Sequence, residues 1–388
     1  MSVNFLFLSH AQVLAALKAW CHWLAQLYTE TTMRSLYSQL VLDMVNSSVP
    51  LLSKSGEPSK LCHSAAHLLV TLFGTVRPPQ MWELEPIRDM YHMAPNLNYL
   101  QPEARRLVQL ALCNTLLLPS PGMTDQLWDL RHKLLASLLD SLTSDFQRLG
   151  RSVTPQAHPI IISTLKLLGD LVEHMQSESS QSKKLLYSVI QGNVHQTLSL
   201  FPLYVRSPDI CEAILDFFII AFAGLQQQLG AAFTEQTVQT FLDVFTREHL
   251  EDSLRQEEGA GTRVVEKFLQ LLQLVMVEPS ASFKRFVPST VSLCLEHVYP
   301  HAVFREVLLP QFLTVLLHSL IHKSHALLAE EIAIALFNMA AVNFTAFQSA
   351  FLPQFLHSTD GLDDGQRNIL QRNFKSDTVS LYNMFIIL

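Results

Sequence analysis

Apolar side chains recur every three or four positions along almost the whole chain. Val13, Leu14, Leu17, Trp20, Leu24 and Leu27 fall on one helical stripe, and Leu134, Leu135, Leu138, Leu139 and Leu142 on another. Ile161, Ile162, Leu165, Leu168 and Val172 form a third. Stripes of this width are the core faces of amphipathic helices, and the strict alternation of a half-buried strand is hard to find. Short breaks separate the stripes at Pro50, Pro58, Pro78-Pro79, Pro119 with Pro121, and Gly150. Thr154-Pro155 and Ser207-Pro208-Asp209 have the form of helix starts. There a hydroxyl can cap free N–H groups, and proline sits where its missing N–H costs nothing. The pattern predicts roughly fifteen or sixteen helices of about 14–24 residues. The looser joints fall at 53–59, 94–101, 119–123, 150–159, 176–182 and 257–262, none long enough for a flexible linker.

A repeat runs through this pattern. Leu309-Pro310-Gln311-Phe312-Leu313 returns 43 residues later as Leu352-Pro353-Gln354-Phe355-Leu356. Proline-plus-apolar starts at Pro202 and Pro288 are 86 apart, twice that offset. A period near 40–47 with two helices per unit marks HEAT or armadillo arrays. One helix pair cannot bury its apolar face alone, so neighbours stack and share a core. The expected fold is all-α: an α-solenoid of HEAT-like antiparallel helix pairs over residues 1–388, with a compact helical bundle as the rival. A solenoid needs polar caps, yet residues 5–8 (FLFL) and 384–388 (MFIIL) are apolar, which suggests a piece of a longer array.

Composition narrows the function classes. Of 388 residues 49% are hydrophobic and only 16% charged, which excludes an intrinsically disordered chain. Net charge is −7, which excludes nucleic-acid binding through bulk positive charge. Glycine, at 12 residues, is too scarce for the tight turns of α/β nucleotide folds or all-β folds. Cys21, Cys62, Cys113, Cys211 and Cys294 are odd in number and widely spaced, so they read as buried thiols in a reducing compartment. No secretory leader and no transmembrane stretch stands out, and a cytoplasmic or nuclear location is expected.

Candidate chemistry is sparse. His318, His322 and His325 have the spacing of ligands on one helix side, although Ser324 has the form of a new helix start. His63 and His67 beside Cys62 form a second pair, but no glutamate follows His63, so the H-E-x-x-H pattern is absent. The first set reads better as a loop-edge histidine cluster on a helix–helix turn, the second as ordinary polar-face histidines. Gly259-Ala260-Gly261 lacks the third glycine of a dinucleotide fingerprint and reads as a helix stop and turn. Glu248, Glu251, Asp252, Glu257 and Glu258, with Arg247, Arg255 and Arg263 around them, form an acidic patch. The patch reads as a solvated face, with a docking patch as its functional alternative. Trp20 and Trp23 share a helix face near Tyr28 and read as core packing. No catalytic, cofactor-binding or metal-binding residue is assigned, and no enzyme activity is expected. Periodicity and composition alone stop at a helical repeat protein that binds other proteins.

Several stretches resemble more than a generic helical repeat: 75–79 (TVRPP), 112–119 (LCNTLLLP), 233–248 (FTEQTVQTFLDVFTRE), 263–269 (RVVEKFL), 322–325 (HKSH), 351–356 (FLPQFL) and 372–375 (RNFK). In this order they resemble the C-terminal part of an export receptor of the importin-β (karyopherin-β) superfamily. The resemblance implies a right-handed superhelix of HEAT repeats. It implies cargo binding together with Ran-GTP in the nucleus, passage of the pore on Phe-Gly nucleoporins, and release in the cytoplasm when Ran hydrolyses GTP. For the receptor type it points to, the implied cargo is profilin–actin, with no cofactor, no nucleic acid and no membrane, and with shuttling between nucleus and cytoplasm.

The chain departs from that family in three places. On the resemblance, it is expected to lack the N-terminal importin-β-like region where Ran is mainly gripped. The resemblance also implies a missing block after Tyr299-Pro300, and a non-native junction with poorer packing is expected near 299–302. Residues 378–388 (TVSLYNMFIIL) replace a polar ending. Three functions follow: an export-receptor part that binds profilin–actin with Ran-GTP, a Ran-independent scaffold or inactive isoform, and a metal-dependent enzyme on the His318 cluster. Polar residues of concave and convex faces share one pattern, so the sequence assigns no cargo-binding residue.

Overall fold

A computed structural model of the chain describes residues 2–29, 34–120, 123–245 and 260–276, with isolated positions at 249, 286 and 364. Every regular element among them is helical. The helices are α1 (Ser2–Thr29), α2 (Arg34–Leu52), α3 (Ser59–Thr71), α4 (Glu85–Met93), α5 (Pro102–Leu117), α6 (Asp125–Leu149), α7 (Ala157–Met175), α8 (Ser180–Tyr204), α9 (Pro208–Val244) and α10 (Ala260–Met276). The chain is an all-α array of stacked helical repeats, as its apolar period predicts. It forms two compact units, one of residues 1–197 with 224–228, the other of residues 198–223 with 229–388.

In the first unit α1, α3, α5 and α7 lie side by side in that order. The intervening helices flank them: α2 packs on α1 and α3, α4 on α5, and α6 on α5 and α7. Helix α8 lies against α6, where Gln147 Nε2 donates to Asn193 Oδ1 at 3.3 Å and Gln196 Nε2 to the Phe146 carbonyl at 3.0 Å. This alternation buries α5 so fully that every residue from Leu110 to Leu118 is in the core. Most of the predicted stripes on α6 and α7 are buried, through Leu135, Leu138, Leu139, Ile161, Leu165, Leu168 and Val172, but Leu142 and Ile162 are half-buried and Leu134, read as core, is exposed because the short α4 leaves it uncovered. Helix α7 also approaches α9 closely: a Cβ on Gly224 would stand 2.6 Å from Val172 Cγ1, so this site demands glycine.

The α1 stripe is rotated from the predicted one. Ala11, Leu14, Cys21, Leu24 and Tyr28 face the core. Trp20 and Trp23 are 60% and 50% exposed, their rings edge to face at 5.5 Å, which corrects their reading as core. Helix α1 carries two adjacent apolar stripes, and periodicity cannot choose between them.

The breaks also shift. Pro50 does not end α2 but sits in its last turn. Helix α9 starts at Pro208 as predicted, but the Ser207 side chain makes no cap bond. Helix α7 starts at Ala157, two residues past Thr154-Pro155, with the Ala157 N–H bonded to the Thr154 carbonyl at 2.9 Å. Ala260 and Gly261 open α10 instead of stopping a helix. Helix α9, at 37 residues, exceeds the expected length. Gly230 within it has a left-handed φ of +74°, which lets its two arms meet at a bend that L-residues resist.

The second unit is held by aromatic side chains. Phe218 is fully buried and meets Phe217, Phe222, Phe233 and Phe241 with ring centroids 5.4–6.4 Å apart. Phe245 stacks on Phe268 of α10 at 4.4 Å. Arg263 Nε on α10 pairs with Glu212 Oε2 on α9 at 3.0 Å, and Lys267 Nζ with Asp216 Oδ1 at 2.7 Å. The repeat at 309–313 and 352–356, the His318 cluster, the acidic patch from Glu248 to Glu258, Cys294, the 299–302 junction and the 378–388 tail lie outside the described residues.

The four described cysteines, Cys21, Cys62, Cys113 and Cys211, are buried free thiols. Burial pushes Cys21 up to about 11, and Cys113 and Cys211 up to about 12. The thiolate is the reactive form. An aromatic disulfide reagent at pH 8 is therefore expected to leave these three thiols unmodified in the native chain and to titrate them all after denaturation. Rapid native labelling at Cys113 or Cys211 would refute this.

Candidate docking groove

Five prolines, at 78, 79, 86, 95 and 102, crowd the segment between α3 and α5. Proline cannot continue a helix from inside, so this stretch yields only short pieces. These are a 3₁₀ turn at Met81–Glu83, the nine-residue α4, and a 3₁₀ turn at Ala94–Asn96. Across from them runs the 25-residue α6. Because α4 is so much shorter, part of α6 stays uncovered, and Leu130 and Leu134 are 42% and 37% exposed. The result is a groove of about 480 Å³ between α4 and α6. Trp82, Leu130, Leu134 and Leu138 give it an apolar lining, with Arg88 and His92 at its edge.

Beneath the Trp82 wall lies an unusual residue. Arg131 on α6 is 1% exposed, yet none of its hydrogen bonds goes to a carboxylate. Its Nη1 donates to the Leu118 carbonyl at 2.6 Å, and its Nη2 donates to Ser120 Oγ at 3.0 Å. Leu118 caps the C-terminus of α5, where exposed carbonyls favour a cation. The guanidinium carbon lies 4.4 Å from the Trp82 ring centroid and 5.8 Å from that of Trp128. A helix end and two π-faces thus replace a counter-ion. Burial still pushes the guanidinium down to about 10, which leaves it charged at neutral pH. Tyr91 of α4, which also lines the groove, bonds Thr115 Oγ1 of α5, and burial raises its phenol well above the usual range. Arg131 and Tyr91 therefore anchor both groove walls to α5.

The TVRPP stretch is explained nearby. Helix α3 ends in a π-turn, Leu72–Val76, and Arg77 then adopts a left-handed φ of +53°. Its guanidinium grips Glu178 with both Nη atoms, Nη1 to Oε2 at 3.0 Å, tying the end of α3 to the turn after α7. The LCNTLLLP stretch is the buried end of α5, where Asn114 Nδ2 meets His174 Nδ1 at 3.2 Å.

His63 and His67 do come together, with rings edge to face at 5.4 Å. The Cys62 thiol instead points to the carbonyls of Leu51 and Glu57. Among the described residues no three His, Cys, Asp or Glu side chains gather closely enough to hold a metal, and no helix is long and apolar enough to cross a membrane. Burial lowers the pKa of His67 and, separately, of His174. A histidine with a depressed native pKa takes up its proton more readily when unfolded, so stability rises with pH through that window. The urea midpoint is expected to be flat above pH 7 and to fall as pH drops below about 6.5. His174→Asn should reduce the fall, and an unchanged acid slope would contradict the assignment.

Sequence reasoning missed the groove and Arg131. The one available signal was proline density, since five prolines in 25 positions leave α4 too short to cover α6.

Residues 233–385 match the family described as exportin-6, C-terminal TPR repeats. That description names the repeats TPR, another helix-pair repeat, where the period suggested HEAT. Exportin-6 of Mus musculus is 36% identical over 95% of this chain, and exportin-6-B of Xenopus laevis 35% identical over 95%. Exportin-6 of Dictyostelium discoideum is 26% identical over 74% of the chain. The mouse and frog matches take in 42% and 41% of those proteins, so the chain spans about two fifths of their length. The mouse match extends over 472 residues, more than the 388 of this chain, so the relative carries residues with no counterpart here. On this identity and coverage, the chain belongs to the exportin-6 family.

Proposed function

We propose that the chain forms part of a nuclear export receptor that binds folded protein cargo, with profilin–actin as the cargo and Ran-GTP as the co-ligand. The observation that carries this reading is the 36% identity to mouse exportin-6 over 95% of the chain. Stacked helix pairs suit it physically, because small shifts at each joint add along an array and link distant sites. On this reading the receptor shuttles between nucleus and cytoplasm. The α4–α6 groove takes single aromatic side chains from extended partners such as Phe-Gly nucleoporins, its apolar walls holding the ring.

The first test is a pull-down of profilin–actin on the immobilised chain, with and without Ran held in its GTP form. Capture that rises with Ran-GTP supports coupled export binding. Equal capture supports the Ran-independent scaffold, and no capture overturns the cargo assignment. At equilibrium Ran-GTP and cargo must tighten each other by the same factor.

The groove has its own test. Leu134→Glu places a charge on a partly exposed wall, so the fold is expected to survive. Binding of a Phe-Gly peptide is expected to weaken about tenfold, which corresponds to about 1.4 kcal/mol. Unchanged binding would remove the groove from the reading.

The missing-block junction belongs here as well. A match longer than the chain supports a deletion, and 299–302 is its proposed place.

A further inference from the structure

We propose that Ser120 is a phosphoryl-acceptor site for a proline-directed Ser/Thr kinase, with Arg131 as the side chain that holds the phosphate. Three hydroxyl–proline dipeptides occur in the chain: Ser120-Pro121, Thr154-Pro155 and Ser207-Pro208. They share the feature that such a kinase reads, and only Ser120 is hydrogen-bonded to an arginine. Thr154 Oγ1 meets the Ser152 hydroxyl at 3.2 Å, and the Ser207 side chain makes no cap bond.

Ser120 lies half-buried in the connection between α5 and α6. Its Oγ accepts from Arg131 Nη2 at 3.0 Å and otherwise points to Met123 Sδ at 3.8 Å, a weak acceptor. Among the described residues Arg131 is a buried cation without a carboxylate, and its buried Nε has no hydrogen-bond partner. Ser120, Arg131 and Asn114 line one small cavity. Buried charges are ordinarily paired, so this guanidinium has unused capacity for an anion. A phosphoryl group carries about −1.5 to −2 charge and three acceptor oxygens. Attached to Ser120 Oγ, it brings anionic oxygens to Nη2, and hydrogen bonds of this type are about twice as strong as neutral ones.

The chemistry balances without any group from this chain beyond the hydroxyl. The kinase supplies ATP, and a new P–O bond forms at Ser120 Oγ. The bond from the γ-phosphorus to the bridging oxygen breaks, ADP leaves, and the hydroxyl proton passes to the kinase's catalytic base. Arg131 is a positioning residue for the product. Its shift toward the phosphate would also change its contact with Trp82 and Trp128.

The test treats the full chain with ATP and a purified proline-directed kinase and maps phosphate by mass spectrometry. Ser120 is expected to be labelled ahead of Thr154 and Ser207, and labelling at those two without Ser120 overturns the proposal. Phosphoserine installed at position 120 by encoded incorporation is expected to raise Tm by about 2–4 °C. It should also change tryptophan emission, and an unchanged or lowered Tm overturns the anchor. Arg131→Lys keeps the charge but loses the fork, so at least half of the rise should vanish, and a full rise in that variant rejects Arg131 as the anchor. If Arg131→Lys does not fold, the unsubstituted phosphoprotein decides the matter. A phosphate held by an ion pair loses part of its Tm rise between low and high salt, and a salt-independent rise counts against it.

Discussion

Phe218→Ala is expected to cost about 3–5 kcal/mol, the largest single-residue loss in the described part of the chain. Phe218 is fully buried on α9 and is the hub of an aromatic cluster with Phe217, Phe222, Phe233 and Phe241. Truncation removes a large apolar side chain and four edge or tilted ring contacts together. The four partner rings come from both arms of α9, on either side of Gly230, so collapse around the cavity is limited by the bend. Urea unfolding should show the loss as a shift in the midpoint of the transition that reports the second unit. Phe218→Leu, which retains most of the volume, should lose less than half as much. Equal losses for the two variants would show that ring geometry dominates over cavity volume.

Arg131→Ala ranks second, at about 2–4 kcal/mol, and here opposing effects must be weighed. Removing a buried charge relieves its desolvation, which favours the variant. Against this, the Leu118 carbonyl loses its donor, about 1–3 kcal/mol, and Trp82 loses a desolvated cation–π contact, about 2 kcal/mol. A cavity under the groove wall adds to the loss. Arg131→Met separates these effects, since it fills the volume and stays uncharged while still leaving the carbonyl unpaired. It is expected to recover about half of the loss in chemical denaturation. A variant as stable as the original chain would mean that desolvation relief cancels everything Arg131 contributes. Binding in the α4–α6 groove should weaken in both variants, because Trp82 rests on the guanidinium.

Much of the fold was legible from local pattern. The 3.6-residue period fixed the all-helical class and most of the buried faces of α6 and α7, because a helix must bury most of its apolar stripe; Leu134 is the exception, exposed where α4 is too short to cover α6. The four described cysteines, Cys21, Cys62, Cys113 and Cys211, were read correctly as buried for the same reason. The TVRPP and LCNTLLLP stretches, two of the seven that carry the family resemblance, hold residues with specific tasks, such as Arg77 in its left-handed turn clamping Glu178.

Other features were decided only when elements met. Helix α1 offers two adjoining apolar stripes, and packing against α2 and α3 buried the one with Cys21 and Tyr28, leaving Trp20 and Trp23 outside. Pro50 looked like a break but fell in a last turn, because helix ends depend on where the partner helix stops supporting them. Arg131 lies four residues before Leu135 on the α6 stripe, and periodicity alone does not assign a charged side chain there to the core. The end of α5 and the rings of Trp82 and Trp128 make it a core residue. The sequence by itself thus determined the all-helical class and the family, since these follow from short-range periodicity and residue identity. Tertiary structure alone decided which stripe is buried, where the groove opens and how a lone cation is accommodated. Each of these depends on atoms brought together from distant parts of the chain.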